Sequence, residues 1–237
     1  MMKLLNFLLL SVISLGLTQA QELNGAWEKV DKKEKDQKNI KLFSDAYFTT
    51  STYMSSTGEF ISASAGTYAL NESDYIENYE IHSDSRAVTG TFLNYDYEIK
   101  NDTLRIEDKN SRNSEVWVRI DTAKKDNVTC WKIHQAFREG EWKTIEDKPR
   151  KSLKMLTDNY YQVIGLNSQT GEFFGSSGGK WTYENGKHNE MVRFFSKNPN
   201  MVGKTLPFDK AIKDGIWHHD GKSSEGEYIQ ERWKKFK

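Results

Sequence analysis

The sequence predicts an all-β protein that consists of two tandem small antiparallel meander β-barrels, with a β-sandwich as the runner-up. Three observations support this prediction. The chain resembles itself at an offset of 113 residues. Within each copy the side chains alternate with the period of two that strands require. Short glycine- and asparagine-containing turns separate these alternating segments, which is typical of hairpins.

The internal repeat determines the number of domains. Residues 38–100 align with residues 151–213 without a gap, and about 18 of these 63 positions are identical. Small changes of length outside this block add two aligned tryptophan pairs, Trp27 with Trp142 and Trp117 with Trp233. A repeat of this length exceeds the roughly 20–50 residues of solenoid units. Each copy is therefore expected to be a complete domain with its own core.

The N-terminus has the pattern of a secretory signal peptide. Lys3 precedes the apolar residues 4–17, and small side chains lead up to Ala20, after which cleavage is expected. The apolar run is shorter than the roughly 20 residues of a spanning helix. We therefore expect a secreted or periplasmic protein without a membrane span. Gln21 follows the cleavage site, so lipidation is not expected, and the only cysteine, Cys130, excludes an internal disulfide.

The predicted organisation of the mature chain is simple. Residues 1–20 form the signal peptide, residues 21–121 the first domain, residues 122–128 a linker and residues 129–237 the second domain. The chain contains 34 Lys and Arg against 34 Asp and Glu residues, and it has no basic stripe of the kind that binds nucleic acid. A monomer of two domains is expected. Aromatic residues make up 13% of the chain and supply the cores.

About eight short strands are expected in each copy, with no amphipathic helix. In the first copy they include residues 46–54, 67–70, 74–82, 103–107 and 115–120. Hairpin turns are predicted at residues 56–59, at Asn101 and Asp102, and at Asn185 and Gly186. The Asn-Gly sequence of the last turn suits type I′. Tight turns between successive strands favour a meander, and closure into a barrel removes its exposed edges.

The residues also resemble a known superfamily. A Gly-x-Trp on the first strand, a meander of about eight strands, and a basic residue beside an aromatic one on the last strand are similar to lipocalins and other calycins. The whole repeat is similar to secreted lipocalin-like bacterial proteins of unknown function with two tandem repeats. The resemblance implies that Trp27 packs under Arg119, and Trp142 under Arg232 or Lys234. Neither copy has the Arg-x-Tyr pair with which related fatty-acid carriers hold a carboxylate.

Aromatic side chains are the candidate ligand-binding residues. Alternate residues of a strand point to opposite sides, so some rings are expected to face outward or into a cavity, where they can stack on sugars or apolar ligands. These candidates are Tyr47, Tyr53, Tyr160, Tyr161, Trp181 and Tyr183. The first hypothesis is a secreted non-enzymatic protein that binds a small or apolar ligand. The alternative is an envelope-associated glycan- or protein-interaction module without a ligand cavity.

An enzyme is the third hypothesis, and no catalytic constellation supports it. The carboxylates Asp45 and Glu59 recur as Asp158 and Glu172 and could form an acid–base pair, but their positions suit turns. Cys130 lacks a partner motif and is predicted to be a buried inert thiol. No cofactor is expected.

Two further segments are also interpreted as structural elements and not as binding sites. His218, His219 and Asp220 are expected to occupy a short insertion that breaks the register of the second repeat. Adjacent histidines on a strand point to opposite faces, so metal binding would require a loop in which they converge, possibly with His188. No metal site is predicted. The glycine-rich residues 175–179 lack the Lys and helix of a phosphate loop and are expected to form a tight turn or bulge. Because these features differ between the copies, the second domain is favoured for specific binding.

Overall fold

A computed structural model of the chain describes residues 22–31, 33–122 and 128–236. The predicted signal peptide and residues 123–127 of the predicted linker lie outside the described residues. The last strand of the first repeat ends at Thr122, and the first strand of the second begins at Thr129.

The first repeat forms a closed antiparallel barrel. Its strands are β1 (Gly25–Lys29), β2 (Gln37–Ser44), β3 (Tyr47–Met54), β4 (Phe60–Leu70), β5 (Tyr75–His82), β6 (Phe92–Lys100), β7 (Thr103–Asp108) and β8 (Ser114–Thr122). Each strand pairs with the next in the chain, and β1 pairs with β8 to close the barrel. A 3₁₀ turn, Arg86–Val88, precedes β6.

The second repeat forms an equivalent barrel with one additional short strand. Its strands are β9 (Thr129–Arg138), β10 (Glu141–Thr144), β11 (Arg150–Leu156), β12 (Tyr160–Asn167), β13 (Glu172–Glu184), β14 (Lys187–Phe195), β15 (Thr205–Lys213), β16 (Ile216–Lys222) and β17 (Tyr228–Lys235). Strand β9 pairs with both β11 and β17, which closes the barrel, and β10 extends β9 as a hairpin. The predicted pair of tandem meander barrels is confirmed, and the β-sandwich is not observed.

Local sequence explains both the strands and their turns. Strand β5 alternates buried and half-buried residues along its whole length, as the period of two predicts. At the β13–β14 hairpin, Asn185 and Gly186 have φ values of 53° and 74°. A type I′ turn requires positive φ at both central positions, and Asn followed by Gly adopts it at little cost. The predicted turn is confirmed.

The two barrels pack against each other through their outer faces with pseudo-two-fold symmetry. A Cβ atom placed on Gly58 would lie 2.4 Å from Val202, and one on Gly171 would lie 3.0 Å from Thr89. These are equivalent contacts, because both pairs of positions are related by the repeat offset of 113. Phe60 stacks on Phe173, its own counterpart, with ring planes 6° apart. The arrangement is that of an isologous dimer fused into one chain.

A substitution at the closest approach of the barrels should report this packing. Gly58→Ala is expected to lower the free energy of unfolding by about 2 kcal/mol, because the new methyl group is forced against Val202 in addition to the strain of its φ of 71°. Gly90→Ala is the matched control, since Gly90 has a φ of 78° and nothing within 4 Å of its Cβ position. The control should lose only about 1 kcal/mol from backbone strain. If Gly58→Ala and Gly90→Ala lost the same free energy of unfolding in urea denaturation, the close packing of the barrels at Gly58 would be contradicted.

No helix within residues 22–31, 33–122 and 128–236 is long and apolar enough to cross a membrane.

Candidate functional site

The interior of the first barrel contains a buried ion pair. Lys41 on β2 contacts Glu77 on β5, and their side chains are 5% and 0% exposed. Tyr75 and Tyr79 both donate hydrogen bonds to the Glu77 carboxylate. The Lys41 ammonium also lies 4.9 Å from the ring centroid of Trp117. Burial and the neighbouring carboxylate raise the pKa of both tyrosines, which remain neutral donors.

The second barrel contains the equivalent pair with two added histidines. The Lys154 ammonium lies 2.7 Å from Glu190 Oε1 and 3.0 Å from His219 Nε2, and His188 Nε2 lies 3.0 Å from the same carboxylate oxygen. An ammonium group only donates and a carboxylate only accepts. His219 Nε2 therefore accepts from Lys154, and His188 Nε2 donates to Glu190.

Burial controls the protonation of this four-residue cluster. Burial, reinforced by Lys154, lowers the pKa of His219 to about 4, and burial also lowers the pKa of His188. Burial by itself would raise the pKa of Glu190, but Lys154 and the two histidines outweigh it and hold that pKa well below its usual value. At neutral pH, two neutral imidazoles thus surround an ammonium–carboxylate pair.

Sequence reasoning missed these interior ion pairs, although a signal was present. Lys41 and Lys154 are identical residues at the repeat offset, and so are Glu77 and Glu190. Charged residues retained in both copies on a strand face that is otherwise aromatic indicate a buried partner, because an unpaired buried charge is very costly. The ion pairs could have been predicted by asking which of the positions that are identical in the two repeats carry a charge.

Side chains fill the space around both ion pairs. The first barrel is packed with Trp27, Phe43, Phe48, Tyr68, Leu70, Tyr75, Tyr79, Tyr95, Leu104, Ile106 and Trp117. The second is packed with Trp131, Ile133, Ala136, Leu156, Tyr161, Trp181, Trp217 and Trp233. The interiors are therefore hydrophobic cores that surround a satisfied charge pair.

The structure separates the six predicted ligand-binding aromatics into three environments. Tyr161 and Trp181 lie in the core of the second barrel and are 2% and 6% exposed. Tyr183 projects from β13 near the β13–β14 turn and is 57% exposed. The other three, Tyr47, Tyr53 and Tyr160, pack in the apolar cluster between the barrels.

Tyr53 and Tyr160 come together in a cleft between the two barrels. The cleft has a volume of about 320 Å³. Its lining contains both tyrosines, the main chain at Gly58 and Gly203, hydroxyl groups from Ser55 and Ser56, and the charged side chains Glu28, Lys38, Lys180 and Arg193. Burial raises the pKa of Tyr53 to about 12 and also raises that of Tyr160, so both present neutral hydroxyl groups. The cleft combines aromatic faces with cations and hydroxyl donors.

The two predicted tryptophan–arginine pairs both form contacts. The Arg119 guanidinium carbon lies 4.2 Å from the Trp27 ring centroid, and that of Arg232 lies 4.3 Å from Trp142. Trp27 is fully buried and donates from Nε1 to the carbonyl of Leu23 at 2.7 Å. Trp142, in contrast, is 41% exposed on β10. Of the two tryptophans, Trp27 belongs to a barrel core and Trp142 does not.

The alignment of Trp142 with Trp27 is wrong. Trp27 pairs in register with Lys41, whereas the residue that pairs with the equivalent Lys154 is Trp131. The counterpart of Trp27 is therefore Trp131, which is 4% exposed in the second core. The second barrel has an additional β9–β10 hairpin that carries Trp142. The position of this tryptophan in the sequence led to its alignment with Trp27 in place of Trp131.

The histidine segment is a strand and not an insertion. Along β16, Trp217, His219 and Gly221 are buried, and His218 and Asp220 are half-buried on the opposite face. The offset of 113 continues through this strand, so His219 is equivalent to Ile106, and the added residues fall in the β16–β17 loop. The adjacent histidines point apart, as predicted for a strand.

The repeated carboxylates do not face each other. Asp45 lies in the β2–β3 turn with a φ of 52°, and Glu59 lies in the β3–β4 turn. The eight-residue strand β3 separates them, a length of roughly 25 Å. In the second barrel, β12 separates Asp158 from Glu172 in the same way. A paired acid and base would need a separation of about 5–10 Å.

The glycine-rich segment and the cysteine both have structural positions. Residues 175–179 lie within β13, and the strand register shifts between Gly178 and Gly179, which confirms the predicted bulge. Cys130 is 3% exposed in the interface between the barrels. Burial raises the pKa of its thiol far above the ordinary value, so it is not a thiolate nucleophile at neutral pH.

Within the part of the chain that the structure describes, no group of three or more His, Cys, Asp or Glu residues has the arrangement of a metal site. No protein-family model matches the sequence, and a search of curated proteins found no match either. Two tandem antiparallel barrels of eight strands are consistent with a lipocalin-like fold.

Proposed function

We propose that this chain is a secreted, non-enzymatic binding protein of lipocalin-like ancestry that holds a small ligand in the cleft between its two barrels. The observation that carries the proposal is the cleft of about 320 Å³ lined by Tyr53 and Tyr160. Its volume lies at the lower end of the range for small-molecule sites, and such sites occur preferentially at domain boundaries.

The filled barrel interiors favour this location over the usual carrier mode. A ligand inside either barrel would have to displace large aromatic side chains and separate a buried lysine–glutamate pair. Breaking one such pair costs about 3–5 kcal/mol. Binding between the barrels requires neither change.

The walls of the cleft are held in place before any ligand arrives. Gly58 lies against Val202, and Phe60 stacks on Phe173, both directly across the interface. Tyr53 stacks on Phe194 with a centroid separation of 5.1 Å. A preorganised site pays little conformational entropy on binding.

The proposal is tested with residues 21–237 and a panel of small sugars, aromatic compounds and organic acids, with binding measured by ligand-observed NMR. Tyr160→Ala is expected to weaken the binding of any ligand of the parent protein by up to about tenfold, since stacking on an aromatic ring contributes about 0.5–1.5 kcal/mol. Tyr183→Ala is the matched control, because Tyr183 is an exposed tyrosine away from the cleft. Equal binding to Tyr160→Ala and to the parent protein would contradict the proposal.

A second role, contact with a glycan or another protein, is favoured by one observation. Trp142 and Phe137 are 41% and 39% exposed on the β9–β10 hairpin, with ring centroids 5.5 Å apart. Exposed aromatic pairs are typical of such contacts. If Trp142→Ala, and not Tyr160→Ala, removed binding, this role would replace the cleft.

A further inference from the structure

The pseudo-two-fold symmetry places two equivalent clefts along the interface between the barrels. Lys38 and Tyr160 line one of them, which we call the open cleft. Their counterparts at the repeat offset, Lys151 and Tyr47, lie together at the equivalent position, which we call the closed cleft.

An internal carboxylate occupies the closed cleft. Glu80 Oε2 accepts a hydrogen bond from the Tyr47 hydroxyl at 2.6 Å and lies 2.7 Å from the Lys151 ammonium. Phe236 covers this group, with its ring centroid 5.2 Å from that of Tyr47 and 4.8 Å from the Lys151 ammonium. Tyr47 and Lys151 are 4% and 9% exposed. The tyrosine and lysine thus form a receptor for one carboxylate.

The open cleft retains the lysine and the tyrosine but has no carboxylate at the position of Glu80; the carboxylate that pairs with Lys38 here is Glu28 on β1. Lys38 and Tyr160 are kept, whereas the position of Glu80 is taken by Arg193. The position of Phe236 is taken by the smaller Ile120, which is one reason why this side is not covered. Tyr160 is only half-buried.

The residues that differ between the two repeats also change the charge of the open cleft. Lys180 stands where the first repeat has Thr67, and its ammonium lies 5.3 Å from the Tyr160 ring centroid. The lining contains three cations, Lys38, Lys180 and Arg193, against one carboxylate, Glu28. Glu28 pairs with Lys38. Lys180 and Arg193 form no ion pair within the described residues, so an anion can reach both.

We propose that the open cleft binds the carboxylate of a small organic acid, in the position that the Glu80 carboxylate has in the closed cleft. The Tyr160 hydroxyl and the Lys38 ammonium supply the contacts that Tyr47 and Lys151 make there. Arg193 adds a planar donor that suits carboxylates. The half-buried Tyr160 ring provides a face for the body of the acid. This inference rests on the proposed function for its location and adds the class of ligand.

The test compares acids with neutral counterparts of the same shape. Residues 21–237 are titrated by calorimetry or NMR with glucuronate against glucuronamide, and with benzoate against benzamide. At least one acid is expected to bind at least about tenfold more tightly than its counterpart, with an affinity that falls as salt rises. If neither acid bound more tightly than its counterpart, the inference would be overturned but the proposed cleft would stand. Failure of both acids to bind would overturn the inference itself.

A variant that needs no ligand provides the second test. Arg193→Glu places a carboxylate beside Lys38 and Tyr160 and recreates the side-chain set of the closed cleft. It is expected to abolish acid binding and to raise the melting temperature by several degrees relative to Arg193→Gln, the matched neutral control. If Arg193→Glu melts no higher than Arg193→Gln, or still binds the acid, the equivalence of the two clefts is refuted.

Discussion

Replacement of Lys41 by methionine is expected to lower the free energy of unfolding by about 3–5 kcal/mol. The substitution leaves Glu77, which is fully buried, without its counter-charge. Two tyrosine hydroxyl groups still donate to the carboxylate, but they do not neutralise it. The measurement is chemical denaturation at pH 7, monitored by circular dichroism and by the fluorescence of the tryptophans.

An exposed pair is the matched control for this prediction. Lys187 lies 2.6 Å from Asp209, and both side chains are about half exposed. Lys187→Met should cost less than about 1 kcal/mol. The double variant Lys41→Met/Glu77→Leu should recover part of the loss, because it leaves no unpaired charge inside the barrel. If Lys41→Met cost no more than Lys187→Met, the interior pair would not be a structural element.

The second prediction concerns the stability of the protein at acidic pH. The protein is expected to lose about 3 kcal/mol of stability through His219 as the pH falls from about 6.5 to 4. Burial lowers the folded-state pKa of His219 to about 4, whereas the unfolded chain has the ordinary value. Between these two values the unfolded state binds more protons, so stability decreases as the pH falls and is fully present above pH 6.5. His188 contributes in the same direction because burial also lowers its pKa.

One neighbouring group opposes this effect in part. Burial raises the pKa of Glu231, so the folded state takes up a proton there before the unfolded state does, which favours folding as the pH falls. The Glu190 carboxylate stays ionised across this range because Lys154 and the two histidines hold its pKa well below the usual value. The Glu231 contribution should therefore offset part of the loss that the two histidines cause.

The first barrel supplies the matched replacement, since Ile106 stands where the second barrel has His219. The variant His219→Ile is expected to show a clearly smaller loss between pH 6.5 and 4.5 in urea denaturation series, whatever its stability at pH 7. If the variant and the parent protein lost stability equally over this range, the buried imidazole would not be the acid-sensitive group.

Much of the fold could be predicted because it depends on local patterns. Alternation along β5 and the Asn185–Gly186 turn each have a physical cause within a few residues. The candidate site was harder to predict from local sequence patterns. Ring positions on strands selected Tyr53 and Tyr160, which line the cleft, but the same rule also selected Tyr161 and Trp181, which are core residues. A strand pattern separates two faces without showing whether the second face meets solvent, a ligand or another domain.

The sequence by itself determined that this protein contains two repeats, that each is a meander of short strands, and that charged residues recur at fixed positions. Only the tertiary structure decided which of these residues meet. Lys41 and Glu77 are 36 residues apart in the chain, and the closed cleft joins Glu80 to Lys151 across two barrels. Such contacts depend on barrel closure and on the docking of two curved surfaces. Within this shared geometry, the residues that differ between the repeats make one tyrosine–lysine pair part of a buried ion-pair site and leave the other in an open cleft.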